Sequence, residues 1–190
     1  MKALGTAIVI LMLLAGATLL GYARWTRGLE EADAALAAGQ YEQAIAGYDQ
    51  AEARFERTPA AKQLFRREYA RASRNRLWAL YQMKRYDDAI AAAERAPAEA
   101  NPFFWSGCAF FIKAKVEEKP EARIGWLARA EEQFRKAVEA TPDDWDTKFN
   151  FELTTRLLAE LRKQPKTPPT QLMQLLRPPT TGSKMQRRVG

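Results

Sequence analysis

The chain has 190 residues, with 30 Lys and Arg against 23 Asp and Glu for a formal charge of +7, no histidine and one cysteine. This composition excludes a disulfide within the chain, a Cys/His zinc site and any Ser-His or Cys-His relay. It also speaks against nucleic-acid binding: after the last acid, Glu160, the seven cations Arg162, Lys163, Lys166, Arg177, Lys184, Arg187 and Arg188 supply the whole excess, which leaves residues 1–161 neutral.

The first element is a run of 21 uncharged residues from Ala3 to Ala23. As a helix it reaches roughly 30 Å, the thickness of a bilayer's hydrocarbon core, so it reads as a transmembrane anchor, residues 1–24. Tyr22 and Trp25 stand where an anchored helix places interfacial aromatics. A cleaved secretory signal is the alternative, with Lys2 as a minimal basic start and small residues at Ala15, Gly16 and Ala17. Lys2 before the run and Arg24 and Arg27 after it give no usable charge bias for orientation.

From residue 29 to 160, Gly and Pro are scarce, Ala, Glu, Arg and Leu are abundant, and β-branched residues rarely cluster. An all-helical domain over residues 25–162 is therefore expected. It contains a repeat: residues 39–51 align with 84–96, so that Tyr41, Ala44 and Ala51 match Tyr86, Ala89 and Ala96. A third copy is marked by Ala130, Phe134, Ala137 and Pro142. Small residues at these spacings let the helices of a pair approach closely, and aromatics fill the gap to the next pair. The 45-residue offset includes an insertion, predicted to form a lengthened helix beginning near Pro59, and a longer loop is expected near Pro120. Thr141, Pro142, Asp143 and Asp144 form a helix-start signature before a closing, periodic segment.

This pattern resembles tetratricopeptide repeats over residues 29–160. The resemblance implies an irregular α-solenoid of about three helix pairs, closed by a C-terminal capping helix. Within the closing segment, Trp145, Asp146, Phe149, Asn150, Glu152 and Leu153 resemble a signature of small anchored repeat proteins encoded beside MoxR-type ATPases and von Willebrand factor A proteins, the MxaK proteins of methanol-oxidation operons among them; Phe151 stands where that family has Leu. That resemblance implies an accessory factor rather than an enzyme. It would bind protein partners in the assembly or maturation of an envelope complex, in the methanol operons a calcium-dependent dehydrogenase. It also implies a single-pass protein of the bacterial inner membrane with its repeats in the periplasm. A holdase-like chaperone at the translocation channel is the competing expectation.

A concave face between helix pairs would be the partner-binding site. Arg71, Arg74, Trp78 and Tyr81 fall on one helical face at spacings of three and four, where two guanidiniums beside two aromatics suit a carboxylate or an acidic peptide. In the alternative, the arginines of this stretch solvate a long helix and Trp78 packs in the core. Asn150 is expected either to add an amide to the same groove from the capping helix or to bond the nearby backbone. Asp143, Asp144 and Asp146 read as helix-capping acids, because no Asp-x-Asp-x-Asp-Gly loop is present; no metal and no cofactor are expected. Cys108 reads as a small buried side chain. The aromatics Phe103, Phe104, Trp105, Phe110 and Phe111 read as core, with part of the cluster free to press on a partner or the bilayer surface. Residues 163–190, with five prolines and six of those seven cations, are expected to be a disordered tail, with 171–176 as a short apolar docking or lipid-binding stretch.

Overall fold

Eight α-helices follow one another with short connections in the computed structural model, which describes residues 2–163. They are α1 (Lys2–Ala37), α2 (Tyr41–Arg57), α3 (Pro59–Leu64), α4 (Arg66–Gln82), α5 (Tyr86–Ala93), α6 (Pro102–Val116), α7 (Pro120–Ala140) and α8 (Trp145–Lys163), with a single 3-10 turn at Ala98–Ala100. No strand occurs among the described residues. The expected tail lies, apart from Lys163, outside the described residues, and so does its 171–176 stretch.

Helix α1 runs without a break from the apolar run through the expected 24/25 boundary into the helical domain. Its first part presents large apolar side chains outward: Leu11, Met12 and Leu13 are each 69% exposed and Leu20 74%. This is the one helix among the described residues long and apolar enough to cross a membrane. Its last part changes character, because Leu29, Ala32 and Ala35 become buried.

The remaining helices pack in chain order: α1 on α2, α2 on α4, α4 on α5, α5 on α6, α6 on α7 and α7 on α8. Helix α4 also touches α1 and α6. The core is accordingly a series of clusters. Leu29, Ala32, Tyr48, Phe55 and Tyr69 join α1, α2 and α4; Ile45, Leu77, Leu80 and Ala89 join α2, α4 and α5; Ala114, Leu127 and Leu158 join α6, α7 and α8.

The repeat-defining residues do the packing work their spacing suggested. Tyr41 and Tyr86 open α2 and α5, and Ala44, Ala89, Ala130, Phe134 and Ala137 are essentially inaccessible to solvent. Two glycines sit at close contacts between helices. A Cβ on Gly47 would stand 2.8 Å from the Cβ of Ala32, and one on Gly107 would stand 2.8 Å from the Phe134 ring. Such distances leave no room for a methyl group unless the helices separate.

Two expectations are corrected. The lengthened helix from Pro59 is two helices, broken at Phe65, whose φ of −105° and ψ of 38° leave the helical region. The long loop near Pro120 is only residues 117–119, since Pro120 starts α7 in the first helical turn, where its missing N–H costs nothing. Asp144 caps α8 as expected, accepting from the Asp146 N–H at 3.0 Å and from the Thr147 hydroxyl at 2.8 Å.

Candidate functional site

Helices α1, α2 and α4 bring four polar side chains together on a shared face. Tyr48 on α2 donates its hydroxyl to Asp33 Oδ1 on α1 at 2.5 Å. Asn75 on α4 donates Nδ2 to the same oxygen at 2.9 Å and to the Tyr48 oxygen at 3.3 Å. Arg71, one turn before Asn75, holds its Nε 3.5 Å from Asp33 Oδ2. That approach is an ion pair without hydrogen-bond alignment, and the buried Arg71 Nε has no hydrogen-bond partner among the described residues. Burial, reinforced by the Asp33 contact, pushes the Tyr48 phenol well above its ordinary value, so it stays a donor.

Of the residues expected to form one gripping face, the structure disperses the roles. Arg71 is committed to Asp33. Arg74 is exposed, with no carboxylate within 4.0 Å among the described residues. Trp78 is half-buried, edge-on to Tyr41 at 5.7 Å, and Tyr81 is half-buried between Tyr86 at 5.7 Å and Trp105 at 5.8 Å. Burial raises the Tyr81 phenol as well. These two aromatics therefore fill the junctions between α4 and the helices flanking it, the packing alternative for Trp78, while the arginines face α1 and solvent.

Asn150 lies on α8, half-buried, and its backbone carbonyl accepts from the Thr154 hydroxyl at 2.7 Å. Helix α8 packs with α7 and, through Leu158, with α6, so Asn150 and the Arg71 cluster are built from different helices. Two neighbours of Asn150 stand out: Trp145 and Phe149, one turn apart, are 79% and 64% exposed.

A second polar group sits beside the first. Arg76 of α4 pairs with Glu52 at 2.7 Å and with Asp49, both on α2, and only about an eighth of the Arg76 and Glu52 side chains reaches solvent. Burial pushes the Glu52 carboxyl up, against the pull of Arg76. The spacing of α4 pointed to Arg71 and Arg74, but not to Asp33, Tyr48, Asn75 or Glu52, which three different helices contribute. The only local signal was Asn75, an amide one turn from Arg71 in the middle of a helix, where Asn is not at home.

Cys108 is half-buried on α6, and burial pushes its thiol up to about 12, which disfavours the thiolate. Phe103, Phe104, Trp105, Phe110 and Phe111 are all half-buried, while the buried positions of α6 are Pro102 and the small residues Ser106, Gly107, Ala109 and Ala114. Among the described residues no three His, Cys, Asp or Glu side chains group as metal ligands. In comparison with known proteins, the chain matches no family model, no curated protein and no solved structure.

Proposed function

We propose that this chain is a membrane-anchored helical-repeat scaffold that holds a protein partner against the bilayer surface. The observation that carries the reading is the continuity of α1: the helix whose first part exposes Leu11 to Leu14 also supplies Asp33 to the polar face shared with α4. A partner seated beside Arg71 and Arg74 is thereby fixed in distance from the apolar run. The order of packing, each helix on the next with α4 also reaching α1 and α6, supports the tetratricopeptide-like solenoid, which buries a one-dimensional core and leaves an extended surface for a polypeptide. The exposed Trp145 and Phe149, which belong to the MxaK-like signature, add an aromatic contact on the closing helix.

On this reading the protein is an accessory factor of the bacterial inner membrane with its helical domain in the periplasm. It works with MoxR-type ATPase and von Willebrand A partners on an envelope complex. A photocrosslinking residue placed at Arg74, and separately at Trp145, tests it in native membranes. One discrete adduct at either site supports the scaffold. A ladder of many nascent or unfolded chains replaces it with the holdase reading, and no adduct at either site contradicts both.

A further inference from the structure

We infer that α3 and the α3–α4 bend form an anionic-phospholipid contact site, seated on the bilayer surface where α1 leaves its apolar run; this rests on the anchoring proposed for α1. The inserted six-residue helix has no evident place in the repeat pattern, yet it is firmly positioned. Ala61 packs inward at 8% exposure, while Phe65 stacks on Trp25 at 5.9 Å and tilts onto Tyr22 at 5.8 Å. Tyr22 donates its hydroxyl to Glu68 at 3.1 Å, tying the start of α4 to the same point of α1.

Between these elements lies an open groove of about 1230 Å3, with Thr18, Leu19 and Tyr22 on its α1 wall and Ala60, Leu64 and Arg67 opposite. Leu64 is 77% exposed and serves no core. Leu19 is four residues inside the end of the apolar run, about 6 Å deeper along the helix axis than Ala23. An exposed leucine at this depth, beside residues already facing acyl chains, is expected of an amphipathic element lying in the interface.

The charge around it has the matching sign. Residues 54–68 hold five cations, Arg54, Arg57, Lys62, Arg66 and Arg67, against two acids, Glu56 and Glu68, and Arg66 pairs with Glu99 at 3.5 Å. Arg54 lies over the Trp25 ring at 4.2 Å, while Arg57 and Arg67 are exposed with no carboxylate within 4.0 Å among the described residues. Basic side chains at an anionic surface each gain about fivefold in affinity. An apolar peptide would meet the same groove only by displacing the lipid that sheathes its α1 wall, and this favours a phospholipid headgroup with its upper acyl chain.

The test uses the full chain with Cys108→Ser, labelled with an environment-sensitive fluorophore at Leu64→Cys, Leu11→Cys or Lys84→Cys. Each is reconstituted in vesicles of phosphatidylcholine, with or without phosphatidylglycerol, carrying a lipid-borne shallow quencher for the Leu64 and Lys84 labels and a quencher at the bilayer centre for the Leu11 label. The site predicts that the Leu64 label is quenched about twofold or more above the Lys84 label when phosphatidylglycerol is present. The excess should fall at high salt and with Arg57→Glu plus Arg67→Glu, at unchanged circular dichroism. Equal quenching at Leu64 and Lys84 in both lipids, with Leu11 quenched, overturns the site and leaves the anchor standing. An unquenched Leu11 overturns the anchor, and the site falls with it. Loss of Leu64 shielding on deleting residues 164–190 assigns the groove to the chain's own C-terminal segment and overturns the lipid assignment.

Discussion

The turns after α1 and α4 carry different residues and make the same hydrogen bonds. In the first, Gly39 N–H donates to the Leu36 carbonyl at 3.0 Å and Gln40 N–H to Ala35 at 2.9 Å; in the second, Lys84 N–H donates to Tyr81 at 3.0 Å and Arg85 N–H to Leu80 at 2.9 Å. Both central residues are left-handed, Gly39 at φ 73° and Lys84 at φ 59°. The first turn uses the residue suited to that backbone; the second forces it on a lysine, at a cost met by the packing of Leu80 and Ala89 on either side. Beyond the turns the two helices diverge. Gly47 and Tyr48 of α2 correspond to Ala92 and Ala93 of α5, Glu52 corresponds to Pro97, and α5 stops after eight residues where α2 runs for 17. One backbone device thus serves two purposes: the first hairpin builds a polar face against α4, and the second closes on small apolar residues.

Making the first hairpin like the second at Tyr48 is the most damaging exchange. Tyr48→Ala empties the centre of the α1–α2–α4 cluster and takes from Asp33 one of its two hydrogen-bond donors, and a loss of about 3–5 kcal/mol is expected in denaturant titrations of the micelle-bound protein. Tyr48→Phe, which removes only the hydroxyl, should cost about 1–2 kcal/mol. Gly47→Ala, tolerated as Ala92 in the second hairpin, must push α2 off Ala32 and should cost about 1–3 kcal/mol by the same measurement. Relieving the second turn works the other way: Lys84→Gly is expected to raise stability by about 0.5–1 kcal/mol, and Gly39→Ala to lower it by a similar amount.

The smallest effect concerns Glu52, whose place in the second hairpin is taken by Pro97. Burial holds its folded-state pKa above the ordinary 4.5. A raised value contributes stability that is complete below pH 4.5 and is lost as pH rises through the folded-state value. Thermal midpoints followed from pH 4 upward should therefore fall less steeply in Glu52→Gln than in the natural chain.

The features legible in the sequence are those written in local periodicity. The apolar run, the helix starts at Tyr41 and Tyr86, the buried Ala130, Phe134 and Ala137 and the capping role of Asp144 depend on residues a few positions apart. The break at Phe65 was not legible, because no Gly or Pro marks it; it is fixed by the stacking of Phe65 on Trp25, forty residues earlier in the chain. Pro120 was misleading for the opposite reason, since a proline that ends one helix and a proline that begins another look alike until the neighbouring helix is placed. The polar face was only half visible. Arg71 and Arg74 follow from helical spacing, whereas Asp33, Tyr48 and Asn75 meet at sequence separations of 15, 27 and 42, which only helix packing sets.

The continuity of α1 links the apolar run to the groove proposed to meet lipid and to the face proposed to hold a partner, and a distance along the helix tests that continuity directly. Spin labels at Leu14→Cys and Glu31→Cys, in the Cys108→Ser chain in lipid nanodiscs, are separated by 17 residues, about 26 Å along an unbroken helix. A single narrow distance distribution centred there is the predicted result. A broad distribution, or one shortened by several ångströms, would mean that the helix bends or melts between Leu14 and Glu31, and would contradict a scaffold held at fixed height above the membrane.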